Sequence, residues 1–298
     1  MKTNLFTVAA LGLFAFTSCT QEKTDLLAPE AEAEQAIVFD NSDPDEDGIT
    51  NLPDQTPYDA AYLAHAEAAT EDYFDATREV VTRPDGTVET VYVVGGDIEL
   101  SKAELEELRG MDAELLKQYR TRNLVTKSTI NVTGYTCNNG NKLTSRMQTG
   151  LRWAVDNYNA LNINKTFRLS FGCKTSGDIV VYRQPNSSSA GGRAGFPSGG
   201  RPNKWVQIFR GMDNQNNNAN EHVIAHEIGH SMGLRHTDYF NRASCGQNSN
   251  EGDGGVGAIR IPGTPSNADQ SSIMLACWPS GTNGEWSYYD RIALETIY

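Results

Sequence analysis

Four side chains within eleven residues, His226, Glu227, His230 and His236 in HEIGHSMGLRH, are of the types that bind a transition metal and move a proton. Residues four apart on a helix share a face one turn apart, so the rings of His226 and His230 can reach one zinc ion at about 2.0–2.1 Å. Glu227 is offset by about 100° around the axis, near enough to hold a metal-bound water without being a ligand, as a general base must. Gly233 can take the left-handed conformation that ends a helix and turns the chain back, bringing His236 round as the third ligand. Three protein ligands leave a position for water, which marks a catalytic zinc site rather than a structural one. The plainer account is histidines scattered on a polar helix. Against it, four of the chain's five histidines lie between residues 222 and 236, and the spacing HExxHxxGxxH is improbable by chance. His222 stands in the same register, but residues 222 and 230 lie about 12 Å apart along the axis, too far to share one ion. Its expected role is support or packing.

The elements that must position these groups are legible in outline. Asn218-x-x-Glu221 offers a capping start to the helix that carries the motif, which should stop near Gly233. STINVT, TFRLSF, DIVVYR and KWVQIF read as strands, and KLTSRMQTGLRWAVDNYNALN as a long amphipathic helix with Leu143, Met147, Leu151, Ala154, Val155, Tyr158 and Leu161 at core spacing. Between them, residues 193–197 read either as a brief edge strand ending at Pro197, able to bind an extended peptide by strand addition, or as a surface loop.

The front of the chain is electrically different. Of 38 acidic and 25 basic residues, 26 and 9 fall in residues 20–127, against 12 and 15 in residues 128–298. That acidity, with no basic, aromatic-interleaved run elsewhere, argues against nucleic acid as a partner. MKTNLFTVAALGLFAFTSCT orders a lysine, a short apolar run and small residues as a secretory signal does. Phe16-Thr17-Ser18-Cys19 resembles a relaxed bacterial lipobox with Cys19 as the lipidated residue; an ordinary cleaved signal is the alternative. Either route exports the protein, as a lipoprotein of a Gram-negative envelope or surface or as a secreted chain, with a membrane reached only through that anchor. Cys137, Cys173, Cys245 and Cys277 then suggest two disulfides. Three pairings are possible; locality favours Cys137 with Cys173 and Cys245 with Cys277. The latter would tie the loop after His236 to the wall of the cleft.

Residues 20–57 read as an acidic tether. Within it, DPDEDGITNLPD sets Asp43, Asp45 and Asp47 at positions one, three and five, Gly48 at six, and Asn51 and Asp54 at nine and twelve, a candidate calcium loop that resembles a single thrombospondin type 3 repeat, or else a solvated linker. Residues 58–127 read as a pro-region of helix, hairpin and helix. Residues 58–80 look helical, EVVTRPDGTVETVYVVGGDIEL reads as a hairpin about Asp85-Gly86, and Ser101-x-x-Glu104 as a capping box opening a helix with Leu105, Leu108, Leu115 and Leu116 on one stripe. The basic run RTRNLVTK at 120–127 is a cleavable hinge or an uncleaved connector. If the acidic half docks on the rest as a propeptide, it contains no cysteine to cap a metal, so a carboxylate or steric cover must do it.

The run from His226 to His236, with the HEIGH spelling and Thr237-Asp238 after it, resembles the metzincin zinc proteases, and within them the bacterial dual-action HEIGH metallopeptidases. The resemblance covers residues 128–298 and implies an α+β fold: a twisted mixed sheet with a backing helix, the zinc helix, a methionine turn and a C-terminal helix. Ser272-Ile273-Met274 would then be the turn, with Met274 the floor beneath the metal. Ser287-x-x-Asp290 followed by Ile292, Leu294 and Ile297-Tyr298 is similar to the terminal helix of astacins and matrixins. One departure is Ala276, where astacins carry a tyrosine that can touch the metal; Tyr288 or Tyr289 is the candidate substitute. Asp238 is placed either to orient a ligand by hydrogen bonding or to serve as a helix-end surface charge.

The implied function is zinc-dependent endopeptidase action on protein or peptide substrates, with Glu227 as base. The rival is a lipid-anchored calcium-binding surface module with a non-catalytic zinc site, which would have no use for Glu227.

Overall fold

A computed structural model describes residues 76–104, 119–251, 258–265 and 268–298. The tether with its calcium loop, Cys19, residues 58–75 and the stripe Leu105 to Leu116 lie outside the described residues.

The architecture is α+β, built on one eight-stranded mixed sheet. Its strands are β1 (Ala76–Thr82), β2 (Val88–Val94), β3 (Ile98–Leu100), β5 (Thr129–Tyr135), β6 (Thr166–Gly172), β7 (Ile179–Gln184), β8 (Gly192–Ala194) and β9 (Trp205–Phe209). They lie in the order β1-β2-β3-β8-β9-β7-β5-β6. β6, β5, β7 and β9 are mutually parallel, β8 is antiparallel to β9, and β3 joins β8 in parallel. A separate pair joins β4 (Tyr119–Arg120) to β10 (Ile259–Arg260).

Two helices pack on this sheet. α1 (Ser145–Asn159) starts where the Thr144 side chain accepts from Met147 N, and buries Met147, Leu151, Ala154, Val155 and Tyr158. α2 (Asn217–Met232) is buried all round from Ala219, which explains the absence of a polar face in its sequence. The two helices approach so closely that a Cβ at Gly150 would stand 2.6 Å from Glu221 N, and the Tyr158 hydroxyl donates to the Ala225 carbonyl at 3.0 Å. Burial of aliphatic and aromatic side chains between these layers at about 25 cal/mol per Å² is the principal stabilising force.

The hairpin about Asp85-Gly86 forms as its sequence reads: Gly86 has φ 85°, and Arg83 N donates to Thr87 O at 2.7 Å. Three expectations are corrected. Residues 76–80 are strand, because Ala76 to Thr82 pair residue by residue with β2 and cross-strand pairing outweighs a short helical pattern. The capping box at Ser101 and Glu104 is present, but Tyr119 and Arg120, at the end of the helix it was expected to open, are strand. The helix cap of α2 is Asn216, whose side chain accepts from Ala219 N at 2.8 Å; Glu221 instead takes a hydrogen bond from Asn157.

The segment 193–197 gives a strand one residue earlier, and it is not an edge. β9 covers one side of β8 and β3 the other. The basic run after Arg120 is built into the body: Thr121 N donates to Gly233 O at 2.8 Å, the Tyr298 hydroxyl accepts from Val125 N at 3.1 Å, and Val125 is buried. Disulfides join Cys137 to Cys173 and Cys245 to Cys277. Among the described residues, no helix is long and apolar enough to cross a membrane.

Candidate metal centre

α2 presents His226 and His230 one turn apart, and Gly233 ends the helix at φ 105°, a conformation that costs a residue with a Cβ about 1–2 kcal/mol. Gly233 N and Leu234 N donate back to His230 O and Gly229 O at 2.9 Å each, closing the turn that brings His236 to the other two. The His236 Nε2 atom lies 3.1 Å from His230 Nε2 and 3.2 Å from His226 Nε2. Tetrahedral zinc with bonds of about 2.0–2.1 Å would space its nitrogens about 3.3 Å apart.

Each ring's other nitrogen is engaged by an oxygen that can only accept. His226 Nδ1 donates to Ile273 O at 2.7 Å, His230 Nδ1 to Leu234 O at 2.8 Å, and His236 Nδ1 to the Glu251 carboxylate at 2.7 Å. With Nδ1 carrying the proton in all three rings, the three Nε2 lone pairs point at one centre. Such partners fix both tautomer and ring plane. Converging lone pairs repel unless a cation or a proton lies between them.

A fourth donor comes from the front half of the chain. Asp97, at the Gly95-Gly96 turn before β3, sets Oδ2 3.1 Å from His236 Nε2 and 4.0 Å from His226 Nε2. Ligating atoms of Asp97, His226, His230 and His236 all lie within 4.8 Å of one another. Electrostatics follow from this crowding. Burial, then the charge on His236, hold His226 down at about 4, and burial drives His230 well below its ordinary range. Burial also opposes charge on His236, but Glu251 and Asp97 outweigh it and push that ring up to about 10. Two carboxylates that hold a proton on a buried imidazole favour a dication at the same place still more, so the residues fit a zinc ion. Two orphaned oxygens agree: Asp97 Oδ1 and Glu227 Oε2 are buried without a hydrogen-bond partner.

Glu227 is 2 % exposed, and burial, then the nearby Asp97, raise its carboxyl well above the usual range. It rests against β8, where a Cβ on Gly192 would stand 2.6 Å from its Cγ. Together they border a cleft of about 340 Å³ whose walls include Asp97, Phe209, His222 and Trp278.

Met274 is buried against α2. Its Sδ would lie 2.6 Å from a Cβ on Gly229, and its carbonyl accepts from Thr237 N at 2.8 Å. The turn is held by the terminal helix α3 (Tyr288–Ile297). Asp290 closes a capping box with Ser287 and also accepts from Ser272 Oγ at 2.5 Å and Ile273 N at 2.8 Å. One carboxylate therefore fixes the carbonyl that orients His226.

Other expected site residues are placed differently. Asp238 is buried, yet it orients no ligand: its oxygens accept from Ala276 N and Ser244 N at 2.9 Å each, so it braces the segment past Met274. The turn after His236, where Arg242 N bonds Asp238 O, points it that way. The carboxylate that orients His236 is Glu251, fifteen residues on, itself paired with Arg242. Tyr288 is 71 % exposed and meets Tyr289 edge to face; neither lines the cleft. His222 is buried outside the four-donor cluster, with Nδ1 2.8 Å from Thr282 Oγ1. Burial, then His226, hold it neutral, down at about 3.

Three histidines and an aspartate with converging donor atoms could hold a zinc ion. The model of the dual-action HEIGH metallopeptidase family matches residues 91–298, and the chain belongs to that family. Among solved structures, two of myroilysin are similar to it. One shares 18 % identity over 60 % of this chain and 97 % of its own, with a TM-score of 0.39. The other shares 15 % over 67 % and 96 %, with a TM-score of 0.38. No curated protein matches the sequence.

Proposed function

We propose that the chain is a zinc endopeptidase in which Glu227 serves as the proton-transferring base. The observation that carries this reading is the convergence of three Nε2 atoms, each held in its tautomer by an oxygen on the far side of its ring. His226, His230 and His236 would hold the ion. When bound, zinc supplies Lewis acidity, polarising a carbonyl and acidifying water.

The chain's own groups do the rest. Glu227, with Oε2 free of protein partners and its stem braced by Gly192, is positioned to take a proton from the attacking water and return it to the leaving amine. Burial, then the nearby Asp97, raise the pKa of its carboxyl, which makes it a stronger proton acceptor than an exposed glutamate.

Two disulfides suit an extracellular setting, and with the leading apolar run they support export with anchoring at Cys19. Calcium at Asp43 to Asp54 rests on spacing alone and is checked by calorimetric titration of the full chain, where no heat of binding would remove it.

The test is hydrolysis of an unstructured protein by the wild type and Glu227→Ala, with bound zinc quantified in both. Removing a general base should cost about 10²- to 10⁴-fold in rate, with zinc content unchanged. Equal rates would end the reading.

A further inference from the structure

We propose that His222 is a specificity-determining residue: beside the metal centre it selects a substrate side chain that ends in a primary carboxamide, glutamine above all. This deepens the peptidase reading and rests on it.

Three observations carry the inference. The first is placement. His222 precedes His226 by one turn of α2, about 6 Å along the axis. It borders the same cleft as Glu227, and Leu275, Ala276 and Trp278 also line that cleft. A peptide whose scissile bond lies at the metal has a neighbouring side chain within reach of it.

The second is an unspent polar atom. Thr282 Oγ1 lies 2.8 Å from His222 Nδ1 and itself accepts from Gly284 N at 3.3 Å, so one nitrogen of the ring is held. The other, Nε2, is buried with no hydrogen-bond partner among the described residues. His222 lies outside the four-donor cluster, so the metal does not use it. A polar atom buried unpaired is unfavourable; a ligand that pairs it recovers that loss, and one that does not leaves it in place.

The third is the company the atom keeps, which decides between chemistries. An aliphatic side chain leaves Nε2 unpaired. A carboxylate pairs only with the tautomer that carries its proton on Nε2, and it enters a cleft whose lining already holds Glu227 and Asp97. Of the described lining residues, Arg242 is the sole arginine or lysine, and it is committed to Glu251. A cationic side chain meets the ion that the histidines are placed to hold. A primary carboxamide has both an N–H and a C=O, so it pairs with either tautomer and brings no charge. Serine and threonine hydroxyls pair as well, but on a stem too short to cover a helical turn. Trp278, its ring 6.1 Å from that of His222, offers an apolar face to the two methylenes of glutamine.

The test pairs cleavage with binding. Zinc-loaded wild type and His222→Leu are given a pool of peptides of randomised sequence, and the cut sites are read by mass spectrometry. The same proteins are titrated calorimetrically with peptide hydroxamates, extended on either side of the zinc-binding group, that differ only in carrying glutamine, methionine or glutamate. Wild type should favour glutamine over both of the others by at least about tenfold, at one position flanking the cut and in one hydroxamate series. His222→Leu should lose that preference. If His222→Leu does not fold, Thr282→Val, which frees the ring, should lower it. Equal selectivity in wild type and variant, or no preference for glutamine in the wild type, would overturn the proposal. If the hydroxamates are discriminated as expected but neither protein cuts a peptide, the role of His222 stands and the peptidase reading fails. If both cut with the same profile, the peptidase reading stands and the role of His222 fails.

Discussion

Glu251 illustrates what a side chain does without touching the metal. It holds His236 Nδ1 at 2.7 Å and is itself clamped by Arg242, so the third ligand's ring plane depends on it. Outer partners of this kind are worth about 10- to 100-fold in metal affinity. Glu251→Gln should weaken zinc binding by that factor in a chelator competition, and unchanged affinity would refute the role. Nothing in the sequence marks Glu251, because its link to His236 depends on how the loop after Tyr239 folds back. The four motif residues, by contrast, were legible because helical spacing and one glycine fix their geometry locally. Asp97 could be anticipated only as an unnamed carboxylate, since 129 positions separate it from His226.

The same burial sets a pH dependence for the chelated protein. His226, held at about 4, and His222, at about 3, prefer to be neutral when folded, whereas unfolded histidine titrates at about 6.5. Between those values the unfolded chain binds more protons, so their contribution is full above about pH 6.5 and is lost as pH falls through 4 and then 3. His236, raised to about 10, contributes in the opposite sense: fully below 6.5, and lost as pH rises through 10. The urea midpoint of chelated His222→Gln should therefore fall less between pH 7 and 4.5 than that of the wild type; an equal fall in both would contradict the placement of His222.

At the scale of elements, the centre depends on two joints. Where β8 meets α2, Gly192 leaves room for Glu227, with Gln207 O only 2.8 Å from any added Cβ. Gly192→Ala should displace the base by an ångström or so and lower kcat about 10²-fold with zinc still bound; full activity would show the contact to be idle. The second joint is Asp290, which caps α3 and pins the turn above Met274. Asp290→Ala loses a cap and leaves Ile273 N unpaired, together about 2–4 kcal/mol in urea unfolding. A loss below about 0.5 kcal/mol would argue that the turn stands by itself. The capping pair Ser287 and Asp290 could be read from sequence, but Asp290's second duty could not, because it requires knowing which loop α3 abuts. Strand periodicity recovered β5, β7 and β9, largely buried in the sheet, and β6 at its edge. It failed at residues 76–80, where pairing decides the conformation.

For the whole molecule, the division at residue 127 read from charge falls within one sheet: three strands of the acidic half extend five from the rest. Composition detects a change of surface, whereas the sheet is joined through backbone hydrogen bonds that composition does not register. A zinc ion held by His226, His230 and His236 would tie α2 to the turn that follows it. Zinc at a thousandfold excess over its Kd adds about 4 kcal/mol to folding, so chelation should lower Tm by roughly 8–16 °C for a domain of this size. Restoring zinc should restore it, and a chelator-insensitive Tm would mean the histidines hold no ion. The most direct measurement remains the rate at which the wild type and Glu227→Ala, matched for zinc content, cut an unstructured protein. The account expects the second to be slower by about 10²- to 10⁴-fold, and equal rates would contradict it.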